Sequence, residues 1–351
     1  MRSYKFASYG EAVNEVIEAS PKPQGSEVLL RVEACGVCHS DIHVLDGFFE
    51  LGDGKRLDLS SGRKLPFTLG HEIVGSVAAL GPDAAGPAIG ERVVVYPWIG
   101  CGECAVCAAG DEHLCADARA LGIQVDGGYA DEVLVPHGRY LFGFGEIPAH
   151  LAATYACSGL TAYSALQRIE PLTARGATLI IGAGGVGMAA LALGRALHDN
   201  LIVVADHDAA KREAALHAGA GAVIDAAADG ALRQLRKLTA GGPAAIIDFV
   251  GAEATANFAV SAVRKGGKIV VVGLFGGSMN LSLPLLPLKS FALEGAYVGS
   301  LAEMEQLMAL ARAGDVPPLP IQCRGLDEAD AVLRELREGR VIGRAVLIPG
   351  N

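Results

Sequence analysis

A chain of 351 residues is too long for one ordinary core, and 51% apolar with 19% charged residues is a globular composition, so two domains are expected. The formal net charge of -10, with no basic run anywhere, excludes nucleic acid as an expected partner. Residues 1–5 lead into mixed polar sequence without the apolar core of a signal peptide, which predicts a cytoplasmic protein. There, eight cysteines point to metal or thiol chemistry rather than disulfides.

Residues 1–155 read as short β-runs at 27–32, 73–77 and 91–95, punctuated by turns. The segment 47–66, with Gly-Asp-Gly and Ser-Ser-Gly in it, reads as an exposed excursion. Two stretches here carry chemistry: Cys38-His39-Ser40-Asp41 with His43 close behind, and Gly70-His71-Glu72. Cys38 and His71 offer the thiolate and imidazole that Zn²⁺ prefers, and a catalytic zinc takes three protein ligands plus an open position. Ser40 and His43 stand beside Cys38 as candidate proton carriers. Further on, the spacing Cys101-x₂-Cys104-x₂-Cys107-x₇-Cys115 suits one tetrahedral zinc closed by four thiolates, which is a structural site.

From residue 156 the texture changes to apolar runs at 177–181, 201–205, 222–224, 244–249, 268–272 and 291–296, separated by Ala-rich helical stretches. Continuous apolar strands alternating with helices predict an α/β domain with a doubly wound parallel sheet. Residues 177–194 carry no charge and approach the length of a membrane span, yet Gly182, Gly184, Gly185, Gly187 and Gly194 suit a strand, turn and buried helix. No membrane association is expected. Gly182-Ala183-Gly184-Gly185-Val186-Gly187 follows a strand and opens a helix, where backbone N–H groups favour a pyrophosphate. Asp206 ends the next strand and can accept both adenosine ribose hydroxyls while repelling a 2′-phosphate, which predicts NAD rather than NADP. Lys211 is placed near the adenosine.

Beyond residue 300 come a helix at 303–311, the turn Pro317-Pro318, a helix at 327–338 and a strand at 345–348. This tail is expected to return to the first domain. The division is then 1–155 with 301–351 against an inserted nucleotide domain at 156–300, with a cleft between.

A zinc, a proton path and a dinucleotide site together suggest alcohol oxidation by hydride transfer. In this order the motifs resemble the zinc-dependent medium-chain alcohol dehydrogenases, nearest the microbial tetrameric branch. The resemblance rests on the Cys38–Asp41 run, Gly70-His71-Glu72 with Gly75 and Gly81, the four cysteines, Cys157-Ser158-Gly159, the glycine loop with Asp206, and Val272-Gly273-Leu274-Phe275. It implies a mainly β GroES-like catalytic domain beside the nucleotide domain, two zincs per chain and NAD. Cys157 becomes the third ligand of the catalytic zinc, Glu72 an occasional ligand, and Asp41 the acceptor for the other N–H of His71.

By the same resemblance the proton path runs through Ser40, a cofactor ribose hydroxyl and His43. Gly273, Leu274 and Phe275 border the cofactor. His39 stands where some relatives place an arginine on the pyrophosphate, and Arg344 matches a second phosphate contact. A histidine there predicts looser NADH binding at higher pH. Phe49, Trp98, Ile123 and Leu274 are expected around a mainly apolar alcohol, with Ala120 widening the pocket. The expected assembly is a homotetramer or homodimer, pairing through 291–298. Cys35 and Cys323 are read as small packed residues, and the other histidines receive no chemistry. Of the rival readings, a zinc-free reductase on this fold has no use for Cys38, His71 and Cys157, and a non-catalytic nucleotide-binding protein has none for the proton path.

Overall fold

The computed structural model describes residues 1–350. Its centre is a six-stranded, all-parallel sheet made by Thr178–Ile181, Ile202–Ala205, Ala222–Ile224, Ala245–Asp248, Lys268–Val271 and Ala292–Gly295. In space the strand order is third, second, first, fourth, fifth, sixth, the arrangement whose switch point lies beside the first strand. Thr178–Ile181 and Ala245–Asp248 are buried along their whole length because helices cover both faces. That double burial is why these segments are apolar without alternation.

A second, larger sheet is mostly antiparallel. Val28–Val37 lies at its middle, pairing with Glu72–Leu80 on one side and with Arg344–Ile348 on the other, while Glu132–Val135 also joins it. The last strand of the chain therefore lies against the first long one, with Ala345 opposite Val37. Ile321–Gly325 closes this edge, parallel to Arg344–Ile348. Cys323 on that edge strand is exposed, which corrects the expectation of a packed thiol, whereas Cys35 is buried in the sheet interior.

Two further departures have local causes. The excursion at 47–66 is largely exposed as expected, but it contains a paired hairpin, Phe48–Gly52 with Lys55–Asp58. The helix read at 303–311 runs Leu301–Arg312, because Ser300 and Glu303 cap its start reciprocally: Glu303 N donates to Ser300 Oγ at 3.2 Å and Ser300 N to Glu303 Oε2 at 2.7 Å. Among the described residues no helix is long and apolar enough to cross a membrane.

Candidate active site and metal centres

Cys38 caps the N-terminus of the helix His39–Asp46, an end whose free N–H groups favour a thiolate. Asp41, in the first turn, accepts from the Cys38 N–H at 2.9 Å and from the Tyr129 hydroxyl at 3.1 Å. Its other oxygen lies 3.1 Å from His71 Nδ1. Asp41, His71 and Glu72 are all fully buried. Cys157 comes from a single π-helical turn, Tyr155–Gly159, between the helices Ala149–Thr154 and Leu160–Thr173. The wider turn swings its sulfur towards Cys38.

Ligand atoms of Cys38, His71, Glu72 and Cys157 lie within 4.8 Å of one another. Two of these atoms, His71 Nε2 and Glu72 Oε2, are buried without a hydrogen-bond partner. Buried polar atoms carry a cost unless something binds them, so the donor set fits a cation. A hydrogen bond from Cys157 holds the Cys38 thiol well below its ordinary range, while the same contact pushes Cys157 well above. Two thiols held this close suit a divalent metal, which binds by displacing their protons.

The other cluster is Cys101, Cys104, Cys107 and Cys115. Sulfur separations of 3.5, 3.8 and 3.9 Å match the edge of a tetrahedron with Zn–S bonds of about 2.3 Å, which is about 3.8 Å. None is a disulfide. All four ligands here are thiols and no open position remains, so the donor set fits a structural zinc.

One cavity of about 660 Å³ joins the first cluster to the parallel sheet. It gathers Cys38, His39, Ser40, His43 and Cys157 from one side, and Gly182, Gly184, Gly185, Val186, Gly187, Asp206, Lys211, Gly273, Leu274 and Phe275 from the other. Phe49, Trp98 and Ile123 also line it, while His71, Glu72 and Asp41 stand behind its wall. Gly187 has to be glycine, since a Cβ there would run into the Gly182 carbonyl and part helix from strand. Asp206 accepts from Ala183 N within the glycine loop at 2.8 Å and from Asp208 N at 2.9 Å.

The Cys38 sulfur lies 3.8 Å from Ser40 Oγ, and the His43 ring packs 4.7 Å from the Phe49 ring. Burial lowers the pKa of His43 and also that of His39, whose ring lies 4.9 Å from Phe275. Burial favours the neutral form of His39, which works against the charged cofactor contact expected of it. Arg344 is buried, ion-paired to Glu72, and packed against Gly185 of the glycine loop. Ala120 does not line the cavity: it is buried and its N–H donates to Gln124 Oε1 at 2.9 Å, which removes it as a pocket-widening position.

Tyr297 was not anticipated. It lines the cavity with its ring 5.9 Å from that of Trp98. Its position just past the carboxyl end of a parallel strand, where such sheets bind ligands, was the available signal. Leu336 and Val341 of the returning tail line the same cavity. No motif marks them.

Residues 24–143 match the family described as alcohol dehydrogenase GroES-like domain, and residues 185–313 match zinc-binding dehydrogenase. An NAD-dependent alcohol dehydrogenase of Sulfurisphaera tokodaii is 37% identical over 99% of this chain and 100% of its own. One of Saccharolobus solfataricus is 38% identical over the same shares. The crystal structure of the alcohol dehydrogenase from Aeropyrum pernix superimposes with a TM-score of 0.89 at 29% identity, covering 99% of this chain and 100% of that one. Full-length identity with two matched domains and a cysteine–histidine cluster facing a glycine loop lead to one conclusion: the chain belongs to the zinc-binding, GroES-like alcohol dehydrogenase family.

Proposed function

We propose that this protein is an NAD-dependent zinc alcohol dehydrogenase interconverting a mainly apolar alcohol and its aldehyde or ketone. The observation that carries the reading is the convergence of two thiols with the unpartnered His71 Nε2 and Glu72 Oε2 at the head of a cavity that runs on to the glycine loop. When bound, zinc supplies a Lewis acid for the alcohol oxygen and NAD supplies the hydride acceptor.

The chain's own residues do the rest. Cys38, His71 and Cys157 would hold the metal, with Glu72 as an occasional fourth donor. Asp41 accepts a hydrogen bond from Nδ1–H of His71 and so leaves Nε2 as the ligating atom. Phe49, Trp98, Ile123 and Leu274 exclude water and favour an apolar substrate. Ser40 is placed to pass the hydroxyl proton outward, and His43, neutral because burial lowers its pKa, is placed to receive it. His43→Ala is expected to cut kcat about 10- to 100-fold near neutral pH, with partial rescue by added imidazole buffer. An unchanged pH–rate profile would remove His43 from the path.

The assignment of Asp206 to the adenosine ribose is supported by its place at the strand end and its hold on the glycine loop. Asp206→Ala is expected to raise KM for NAD by at least about tenfold, the worth of hydrogen bonds to a charged group, and to narrow the preference over NADP. Equal KM values in parent and variant would contradict it. His39, Lys211 and Arg344 belong to the same proposed cofactor contacts.

The division into 1–155 with 301–351 and 156–300 is part of this reading, supported by the pairing of Arg344–Ile348 with Val28–Val37. A homotetramer or homodimer is supported by Ala292–Gly295, an edge strand with mostly exposed residues that could pair across a two-fold axis. A cytoplasmic setting suits the two thiol clusters, which oxidation would destroy. The deciding experiment combines a metal assay with a panel of alcohols under NAD and NADP. About two zincs per chain and NADH formation are expected; a fully zinc-loaded protein that reduces neither cofactor with any alcohol would overturn the proposal.

A further inference from the structure

Asp248 is fully buried at the carboxyl end of Ala245–Asp248 and takes no part in the chemistry above. Its Oδ1 accepts two backbone N–H groups, from Val250 at 2.9 Å and Gly251 at 3.0 Å, and Oδ2 has no partner. Those two bonds fix the turn Phe249-Val250-Gly251, of which Phe249 and Val250 line the cavity.

That turn in turn holds the segment 272–276. The Asp248 carbonyl accepts from Val272 and Gly273 at 2.9 and 3.0 Å, the Val250 carbonyl from Phe275 at 3.1 Å, and the Gly251 carbonyl from Gly276 at 3.1 Å. The segment then reaches across the cleft. A Cβ on Gly276 would strike the Glu50 carbonyl, and one on Gly52 would lie 2.6 Å from the Gly277 carbonyl carbon. Ser278 Oγ donates to Asp53 Oδ2 at 3.0 Å. So the hairpin carrying Phe49 rests directly on the backbone of this strap.

We infer that Asp248 is a positioning residue: by fixing the turn 249–251 it sets the strap 272–278, and the strap sets both the cofactor wall and the seat of the Phe49 hairpin. The inference rests on the reading of the cavity as an NAD and alcohol site. Burial pushes the Asp248 carboxyl above the ordinary carboxylate range. Both turn hydrogen bonds fall on the single oxygen Oδ1, and asparagine keeps an acceptor oxygen there.

The test compares Asp248→Ala, Asp248→Asn and Gly276→Ala in the zinc-loaded enzyme, reading NADH dissociation by fluorescence, KM against kcat, and zinc content. Asp248→Ala should raise the NADH dissociation constant and KM for NAD by at least about tenfold, with a smaller change in kcat and parental zinc, because two hydrogen bonds to the turn are lost. Asp248→Asn should stay within about threefold of the parent, since both bonds survive. Gly276→Ala should raise KM for alcohol and NAD together by at least about fivefold through its clash with Glu50. Parental NADH affinity in Asp248→Ala, an asparagine variant as impaired as the alanine one, or parental constants in Gly276→Ala would each overturn the proposal. If Asp248→Ala does not fold, the other two variants decide. A parent protein that binds no NADH would instead overturn the cofactor reading, and this proposal with it.

Discussion

Cys157→Ala is expected to leave a folded protein with about one zinc per chain in place of two and kcat/KM reduced by more than about 100-fold. The magnitude follows from position: changing a residue that merely stands behind a ligand costs about 10- to 100-fold, and Cys157 is itself a proposed ligand. Its sulfur lies within the four-donor cluster that includes Cys38 and the unpartnered His71 Nε2. NADH binding should persist, because the glycine loop and Asp206 follow strands of the parallel sheet, whereas Cys157 sits on a separate π-turn. Elemental analysis beside fluorescence titration checks both parts. Parental zinc and parental turnover in the variant would take Cys157 out of the centre.

The largest effect on stability is expected from Cys107→Ala. Residues 101–115 contain only one short helix, Ala105–Ala108, and one 3₁₀ turn, Glu112–Leu114, with little apolar side chain buried among them. Sulfur ligation is then the main force ordering the lobe, and structural zinc in small modules is worth about 10–16 kcal/mol of apparent binding energy. Part of that is spent on ordering the loop, so a loss of several kcal/mol is expected, lowering Tm by on the order of 10 °C. Proteolysis should cut first within 101–115. Activity should fall as well, since Trp98, next to the lobe, lines the cavity and holds the Ala156 carbonyl at 3.1 Å beside Cys157. A variant with parental Tm and two zincs would contradict the assignment.

Much of this was legible before any coordinates. Strands covered on both faces are continuously apolar, which is why the inner strands Thr178–Ile181, Ile202–Ala205 and Ala245–Asp248 could be read to within a residue or so; the outer ones were read from their apolar residues and spacing. The glycine loop and the four-cysteine spacing are local, so their geometry is written in adjacent residues. Cys157 is not local to Cys38 or His71, and the π-turn that aims it leaves no mark on the pattern; only the family resemblance pointed to it. The hairpin at 48–58 was missed because its first strand is only partly buried, its second is exposed, and glycines mark the turn between them. Ala120 misled because a small residue says nothing of which way it faces. Asp248 carries no motif, its two hydrogen bonds being visible only in three dimensions.

The pairing of Arg344–Ile348 with Val28–Val37 sets an order of events during synthesis. All six strands of the parallel sheet are synthesised before residue 300, so that unit can clear the ribosome and assemble while the chain is still growing. The amino-terminal sheet starts first yet is completed later: Arg344–Ile348, the neighbour of Cys35 and Val37 on one side, is translated after the whole parallel sheet. Contacts of such sequence separation are slow to form. Until then one flank of the strand leading into Cys38 stays bare, and a nascent chain stalled near its end would present that edge to other chains.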